Sequence, residues 1–223
     1  MRGLFVTATD TGVGKTEVAC ALLRDARARG LDAVGMKPAQ SGAVPGEPSD
    51  AERLVDAADG VEPLAEICPY ALAAPLAPAV AARLEGVEIS FARILDRARA
   101  LAGRHAAVLV EGAGGLLVPL TERETYADLA VALALPVLVV ARAGLGTVNH
   151  VALTVEALRR RGLAVAGIVL NRTAAADDPS VPTNAGEIAR LTGVTPSALL
   201  PFVPDIALRG AILRSTLASK IQF

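Results

Sequence analysis

The sequence predicts an α/β protein in which a mostly parallel sheet carries helices on both faces. Apolar runs such as 106–110 and 137–141 are continuous rather than alternating, as expected for strands that are buried on both faces. A helical pattern follows each of these runs, which is the order of elements in a layered α/β fold. The length of 223 residues suits one domain with a sizeable core. We therefore expect a single domain over 1–223, with the residues after about 208 unassigned.

Five segments of the first hundred residues have the pattern of regular elements: strands at 3–8 and 32–37 and helices at 15–29, 50–58 and 91–103. Gly30 stands where the first helix should stop, and Ser90 is a suitable N-cap for the third. The segment 39–49 is rich in Ser, Gly and Pro and is predicted as a loop. Several prolines and the lack of long apolar runs predict an irregular connection over 60–80.

The second half of the chain continues the alternation, with strands at 106–110, 136–141, 164–170 and 198–203 and helices at 125–134, 147–161 and 184–192. The polar, proline-containing segment 173–183 is predicted as a loop. In open parallel sheets, ligands bind beyond the carboxyl ends of the strands. The residues that directly follow the predicted strands are therefore the first candidates for a functional site.

The composition argues against several classes of binding partner. Hydrophobic residues make up 52% of the chain and aromatic residues only 3%, so we expect a core built from Ala, Val and Leu. The net charge is −1 and the charges are interspersed, which predicts no nucleic-acid partner. The apolar runs are too short for a membrane span, and the N-terminus lacks a signal-peptide pattern. We expect a cytoplasmic protein that does not bind membranes.

The clearest motif is the N-terminal segment GLFVTATDTGVGKT, a strand and a turn that lead into a helix. This is the layout of a phosphate-binding loop, where backbone N–H groups and the helix N-terminus bind anionic oxygens. Gly12 and Gly14 permit a positive φ and a close approach to phosphate. Lys15 can bridge the terminal phosphates, and the Thr16 hydroxyl can bind Mg²⁺. The standard spacing would place a glycine at Thr9, so the loop is a variant form.

Three charged residues follow or flank predicted strands. Glu111 ends a buried strand, where it either shares Mg²⁺ with Thr16 or is a solvated strand end. Asp50 is either a second metal ligand or a carboxylate that stabilises a helix N-terminus. Lys37 either extends to solvent or points into the anion site, where its charge would stabilise phosphoryl oxygens.

Other candidate residues carry weaker signals. The segment 112–115, Gly-Ala-Gly-Gly, predicts a second permissive loop suited to backbone contact with a ligand. Cys20 is expected to be a small core residue, because the two cysteines of the chain form neither a metal spacing nor a disulfide framework. His105 is predicted at the surface and His150 in the first turn of a helix, both with structural roles. The sequence suggests no covalent nucleophile.

Several segments, in order from about residue 3 to 205, are similar to one enzyme family: Thr9-Asp-Thr-Gly-Val-Gly-Lys-Thr, Lys37-Pro-Ala-Gln-Ser-Gly, Ser49-Asp50, Val110-Glu-Gly-Ala-Gly-Gly-Leu, Leu145-Gly-Thr-Val-Asn-His and Val169-Leu-Asn171. The phosphate loop alone is shared by many ATPases, whereas the segments that begin at Lys37 and Val110 are more specific. With these segments the chain resembles the dethiobiotin synthetases, ATP-dependent enzymes that close the ureido ring late in biotin synthesis.

The resemblance implies a P-loop NTPase-type three-layer sandwich, a homodimer, and ATP and Mg²⁺ as cofactors. The substrates would be 7,8-diaminononanoate and CO₂ or bicarbonate. One amine would form a carbamate and ATP would phosphorylate it. The second amine would then attack, with phosphate as the leaving group.

The resemblance also implies residue roles. Lys37, Lys15 and Thr11 would be catalytic, with Lys37 stabilising the carbamate and the transferring phosphoryl group. Mg²⁺ would be bound by Thr16, Asp50 and Glu111. The residues implied to bind the nucleotide and its metal are Gly12, Val13, Gly14, Lys15, Thr16, Glu17, Asp50, Glu111, Gly112, Ala113, Gly114, Asn171, Arg172, Pro204, Asp205 and Ile206. Those implied to bind the diamine are Thr11, Lys37, Ser41, Gly114, Leu145, Gly146 and Asn149.

Within these sets, Asn171 would contact the adenine, and 204–206 would line the base pocket. The stretch 145–149 would contact the carboxylate end of the substrate across the dimer interface. The sequence departs from the family pattern in two places. Ala8 replaces the usual glycine before the phosphate loop, which is tolerable only where the backbone stays extended. The tail 209–223 also matches the pattern poorly, which leaves the base selectivity open.

Two other functions remain as alternatives. A related amidoligase of the cobyrinic acid diamide synthase type would need an ammonia source, and this chain has no second domain with a nucleophilic cysteine. A partitioning-type switch ATPase usually carries an additional lysine near the start of the loop, where this chain has Asp10.

Overall fold

A six-stranded parallel sheet forms the centre of the structure, a computed structural model that describes residues 1–44, 46–217, 220 and 221, without the side chains of 206 and 207. Its strands lie in the order β2-β5-β1-β6-β7-β8, and a separate parallel pair joins β3 to β4. The strands of the described chain are β1 (Gly3–Ala8), β2 (Ala33–Met36), β3 (Gln40–Ser41), β4 (Ala71–Leu72), β5 (Ala107–Gly115), β6 (Val137–Arg142), β7 (Val165–Asn171) and β8 (Ala198–Leu200).

Helices surround this sheet, as predicted. In the described part of the chain they are α1 (Lys15–Ala28), α2 (Asp50–Ala57), α3 (Leu64–Ile67), α4 (Pro78–Glu85), α5 (Phe91–Arg104), α6 (Tyr126–Leu133), α7 (Thr147–Arg160), α8 (Val181–Thr192) and α9 (Ile206–Leu217). Helix α1 packs against α2 and α9, α5 against α6, and α7 against α8. The predicted fold class, a mostly parallel sheet with helices around it, is confirmed.

The central strands are buried along their length, which explains their continuous apolar sequence. Every residue of β1 is buried, and so are 107–112 of β5 and 137–141 of β6. Most of these side chains are Ala, Val or Leu, as the composition predicts. Each buried Val or Leu contributes about 1.5–3 kcal/mol to the hydrophobic stabilisation, so these strands form a large part of the core together with the buried faces of the helices.

Side-chain caps determine where several helices begin. Ser49 and Glu52 form a capping box at the start of α2, and Thr125 with Asp128 forms another at α6. Ser90 accepts a hydrogen bond from the Arg93 N–H at the start of α5, as predicted.

The predicted loops hold more regular structure than expected. The segment 39–49 includes β3, and 60–80 includes α3, β4 and the start of α4. The backbone N–H groups of Lys37, Gln40 and Gly42 donate to carbonyls of Ile67, Tyr70 and Leu72. The two segments therefore stabilise each other through non-local pairing, which leaves no periodic pattern in either sequence. Helix α8 also begins earlier than predicted, at 181, because a proline in the first turn is compatible with a helix.

The segment 112–115 was predicted as a loop, and this prediction is wrong. Strand β5 continues through Gly115, which pairs with Ala8 after a register shift in β1 between Val6 and Ala8. Only Gly114 of this segment has a positive φ, at 57°. Ala8 lies in strand conformation at the end of β1, so its methyl group is accommodated without strain.

The histidines and cysteines have different surroundings. The His105 side chain is only 9% exposed, between Asp32 and Glu62, so its predicted surface position is wrong. His150 lies in the first turn of α7, as predicted. Burial raises the pKa of Cys20 to about 12 and that of Cys68 to about 11, which keeps both thiols protonated and unreactive near neutral pH.

No helix among the described residues is long and apolar enough to cross a membrane.

Gly3 is the glycine whose replacement the sheet tolerates least. A Cβ atom at this position would lie 1.9 Å from the backbone oxygen of Val108, so Gly3→Ala must displace β1 from β5. We expect the free energy of unfolding to fall by about 2 kcal/mol, measured by urea denaturation. Gly103→Ala is the control, because Gly103 lies in α5 with open space around it, and alanine there should stabilise by about 0.5–1 kcal/mol. Equal stability of the two variants would contradict this steric argument.

Candidate active site

A cavity of about 870 Å³ opens beyond the carboxyl ends of the central strands, where the sequence predicts the site. The phosphate loop and the start of α2 form one side of it, and the segments 75–78 and 201–203 form others. Of the residues predicted to bind nucleotide, metal or diamine, those that line it are Thr11, Gly12, Gly14, Lys15, Thr16, Glu17, Lys37, Ser41, Asp50, Ala113, Gly114, Asn171 and Arg172.

The phosphate loop has the predicted backbone conformation. Gly12 has a φ of 72° and Gly14 a φ of 93°, so both need the freedom of glycine. A Cβ atom at Gly14 would lie 2.2 Å from the Asn171 amide nitrogen. That nitrogen donates to the backbone oxygen of Val13 at 2.9 Å, which fixes the end of β7 against the loop. This hydrogen bond and the two glycine conformations therefore define the shape of the loop.

Lys37 is buried at the end of β2 and 2% exposed, so the alternative in which it extends to solvent is excluded. Its Nζ lies 2.6 Å from Glu111 Oε1 and 2.7 Å from Asp50 Oδ2. It also donates to the backbone oxygen of Gly112 at 3.3 Å. The single ammonium group thus joins β2, β5 and α2 on the cavity wall.

Glu111 is fully buried, which excludes a solvated strand end. Its Oε1 accepts a hydrogen bond from the Thr16 hydroxyl at 2.8 Å, so the phosphate loop and β5 are directly connected. Its Oε2 is buried and has no hydrogen-bond partner among the described residues. An orphaned carboxylate oxygen in this position is chemically suited to a cation.

The oxygen atoms next to Glu111 are of the kind that Mg²⁺ prefers as ligands. Asp50, Glu111 and the Thr16 hydroxyl supply oxygen atoms, and Mg²⁺ typically takes one or two carboxylates together with phosphate and water oxygens. No group of three or more His, Cys, Asp or Glu in the described chain could hold a metal, so a richer metal site is absent there. Asp50 is also the first residue of α2, so its two predicted roles are compatible.

Burial and ion pairing shift the pKa values of the charged groups on the cavity wall in different directions. Burial lowers the pKa of Lys15, and the carboxylate of Glu111 offsets this effect only in part. Burial also disfavours the charged form of Lys37, but the carboxylates of Glu111 and Asp50 outweigh it and raise its pKa. Burial alone would raise the pKa of Asp50, but the neighbouring Lys37 ammonium outweighs burial and lowers it. The burial of the Lys15 charge is thus incompletely compensated, and an incoming phosphate would stabilise its charged form.

Another side of the cavity is formed by the segment 75–78, which the sequence predicted only as part of an irregular connection. The Ser41 hydroxyl donates to the backbone oxygen of Leu76 at 2.7 Å. The Gln40 side chain accepts from the Ala51 N–H at 2.8 Å, which anchors the start of α2 beside Asp50.

Several cavity residues were missed at the sequence level: Gln40, Gly42, Arg53, 75–78, Val118, Thr173, 201–203, Arg209 and Leu213. Arg53 could have been found, because it lies three residues after Asp50 and thus on the same helix face. The segment 75–78 has no local signal, because only the pairing of β3 with β4 brings it to the site.

Some predicted residues lie outside this cavity surface. Val13, Glu111 and Gly112 lie behind it, and Pro204 and Asp205 are exposed beside it. The side chain of Ile206 is not among those described. Leu145, Gly146 and Asn149 lie at the start of α7, all exposed, with the Leu145 N–H bonded to Asp178 Oδ2 at 2.8 Å.

A second cavity of about 500 Å³ lies beside the first, between the start of the phosphate loop, 115–119 and α7. Thr11 and Val118 line both cavities. Asp10, at its edge, pairs with Arg142 at 3.4 Å. The two cavities therefore share a wall that ends at the phosphate loop.

Comparison with solved structures supports the fold alone. A ParA family ATPase from Chlorobium tepidum superposes with a TM-score of 0.57 at 13% identity, over 99% of this chain and 94% of the other. The MinC:MinD cell division protein complex from Aquifex aeolicus gives a TM-score of 0.54 at 14% identity, over 96% of this chain and 86% of the other.

Sequence comparison defines the family. A family model described as an AAA domain matches residues 2–208. A protein of Anaeromyxobacter dehalogenans named ATP-dependent dethiobiotin synthetase BioD is 78% identical over all 223 residues of both chains. A Bacillus cereus protein of the same name is 41% identical over 216 residues, which cover 96% of this chain and 89% of the other. With these matches and the geometry of the phosphate loop, Lys37 and Glu111, the chain belongs to the dethiobiotin synthetase family.

Proposed function

We propose that this chain catalyses the ATP-dependent conversion of 7,8-diaminononanoate and CO₂ to dethiobiotin, a step of biotin biosynthesis. The observation that carries the proposal is the buried Lys37 ammonium, held against Glu111 beside the phosphate loop. A phosphate loop alone fits any ATPase, whereas a second buried lysine on the same cavity suits the activation of an anionic substrate oxygen.

The proposed reaction forms two new bonds to carbon. One amine of the substrate adds to CO₂ and gives a carbamate. A carbamate oxygen then attacks the γ-phosphorus of ATP, with ADP as the leaving group. The second amine attacks the carbonyl carbon of this mixed anhydride, the ring closes, and inorganic phosphate leaves. Phosphoryl transfer of this kind depends mainly on positioning and on the neutralisation of charge.

Two lysines would supply most of that neutralisation. Lys15 follows the glycine turn at the start of α1, where it can contact the terminal phosphates. Lys37 faces the same cavity and would stabilise the carbamate and the transferring phosphoryl group. Its three N–H groups are directed to Asp50, Glu111 and Gly112, so contact with a carbamate requires the exchange of at least one of these bonds.

We propose that Mg²⁺ binds at Thr16, Asp50 and Glu111. The ion would neutralise charge on the phosphate oxygens of ATP. The orphaned Glu111 Oε2 and its proximity to the Thr16 hydroxyl support this assignment.

The diamine would extend from the first cavity into the second, past Thr11 and Val118, which line both. Thr11, Ser41 and Gly114 surround the part of the first cavity next to the phosphate loop, where the reacting amines would lie. The second cavity has apolar lining from Leu117, Leu153 and other residues, which suits the alkyl chain of the substrate.

We propose that the protein is a homodimer and that the face around the second cavity is its interface. Leu117 and Leu153 line this cavity and are exposed by 53% and 57%, and exposed leucines beside an apolar cavity are typical of an association surface. Leu145, just before α7, is 80% exposed. The stretch 145–149 would then reach the carboxylate end of the diamine bound by the partner subunit.

The experiment that tests the function measures dethiobiotin formation from the diamine, bicarbonate, ATP and Mg²⁺. ADP should form only when all four are present, in a 1:1 ratio with the ring product. An ammonia requirement would favour the amidoligase alternative. ATP hydrolysis that is stimulated by DNA or lipid vesicles without the diamine would favour a switch ATPase instead.

Lys37→Gln tests the role of the second lysine. We expect ring closure to fall at least 100-fold, because one positive charge next to the transferring group is lost. ATP binding, measured by calorimetry, should remain, because Lys15 and the loop amides are unchanged. The control is Lys220→Gln, which removes an exposed lysine outside the cavity. Turnover of Lys37→Gln at the rate of the control would contradict the proposed role.

Leu153→Glu tests the interface. A carboxylate in a buried apolar contact is costly, so we expect dimers to dissociate to monomers in light scattering at micromolar concentration. Leu84→Glu is the matched control, since Leu84 is 69% exposed on α4. A Leu153→Glu variant that stays dimeric would place the interface elsewhere, and an unchanged protein that is monomeric would reject the dimer.

A further inference from the structure

Three charged side chains meet on the cavity wall at the start of α1. Arg53 Nη2 lies 2.8 Å from Glu17 Oε1, and Arg209 Nη1 lies 3.5 Å from the same oxygen. All three residues line the cavity, with side chains that are 25–32% exposed. Two guanidinium groups thus converge on one carboxylate oxygen.

The three side chains come from three different helices. Glu17 directly follows Thr16 in α1, Arg53 belongs to α2, and Arg209 belongs to α9. Arg209 and Leu213 are four residues apart, so they occupy the same face of α9, and both line the cavity. The Arg209 Nε also donates to the backbone oxygen of Val203 at 2.9 Å. The contacts of Arg209 to Val203 and Glu17 therefore hold the face of α9 that carries Arg209 and Leu213 against the cavity.

The cluster carries a net positive charge. One carboxylate faces two guanidinium groups, and arginine stays protonated in proteins. Burial disfavours the charge on Arg53, but Glu17 outweighs this effect and raises its pKa. Within the part of the chain that the structure describes, the contacts of Arg209 to Val203 and Glu17 use two of its three guanidinium nitrogens, which leaves donors for a further acceptor.

We propose that Arg209 is a nucleotide-binding residue that donates hydrogen bonds to the phosphate next to the ribose of ATP. The phosphate loop sets the position of the terminal phosphates at Lys15, two residues before Glu17. The phosphate nearest the ribose would then lie further along the same cavity wall, beside Glu17, where Arg209 supplies a cation. Glu17 lies 3.5 Å from one nitrogen of this guanidinium and competes with the phosphate for its donors.

The alternative is a purely structural role, in which Arg209 only ties α9 to α1 through Glu17. The two roles predict different affinities for ligands with and without phosphates, and different effects of neutralising Glu17. A structural tie is broken equally by loss of either partner. A phosphate contact is lost with Arg209 but persists, with less competition, when Glu17 is neutralised.

The experiment measures, by calorimetry, the affinity of a non-hydrolysable ATP analogue and of adenosine for Arg209→Gln and Glu17→Gln. We expect Arg209→Gln to weaken the ATP analogue about 10-fold, because a charge-assisted hydrogen bond is lost, and to leave adenosine unchanged. Glu17→Gln should bind the analogue about 2-fold more tightly, because a negative charge leaves the cavity. Arg214→Gln is the control, an exposed arginine on the same helix.

Three results would overturn the proposal. One is an Arg209→Gln variant that binds the analogue as tightly as the control. Another is an equal loss of affinity for the analogue and adenosine. The third is a loss of the same size in Glu17→Gln. None of them bears on the conversion of the diamine, because the assay of ring closure tests that separately.

Discussion

The site depends on the ion pair between Lys37 and Glu111. A charge that leaves water is stable only when it is paired and hydrogen-bonded, and both of these groups are buried. Their meeting follows from strand register, because Met36 of β2 pairs with Val110 of β5 and the two charged residues come next on each strand. Parallel pairing of two apolar strands therefore places the two charges side by side at the carboxyl edge of the sheet.

The remaining parts of the site are attached to this pair. Thr16 connects Glu111 to the phosphate loop, and Asp50 connects Lys37 to α2. Asn171 supports the loop from β7. Five segments of the chain thus converge: β2, β5, the phosphate loop, α2 and β7. The favourable free energy of packing in the sheet offsets the unfavourable burial of charge. The charged groups of the site are thus held in fixed positions by the packed fold.

Much of this arrangement could be predicted from the sequence, because its signals are local. Buried strands, the glycine turn and the charged residue after each strand are visible in short windows, and the rule for carboxyl ends brings Lys15, Lys37 and Glu111 together. The segment 75–78, the extension of β5 to Gly115 and the burial of His105 could not be predicted. Each depends on partners that lie far away along the chain, and the sequence around them carries no periodic trace of those partners.

The position of Lys37 between two carboxylates also affects how the folded protein balances its buried charge. The acidic pair already has an internal counter-ion, so its mutual repulsion is screened without any bound metal. Small metal-dependent domains, in contrast, remain unfolded until their ion arrives. Here Lys37 itself neutralises part of this negative charge, so charge balance at this point of the fold does not depend on a metal ion.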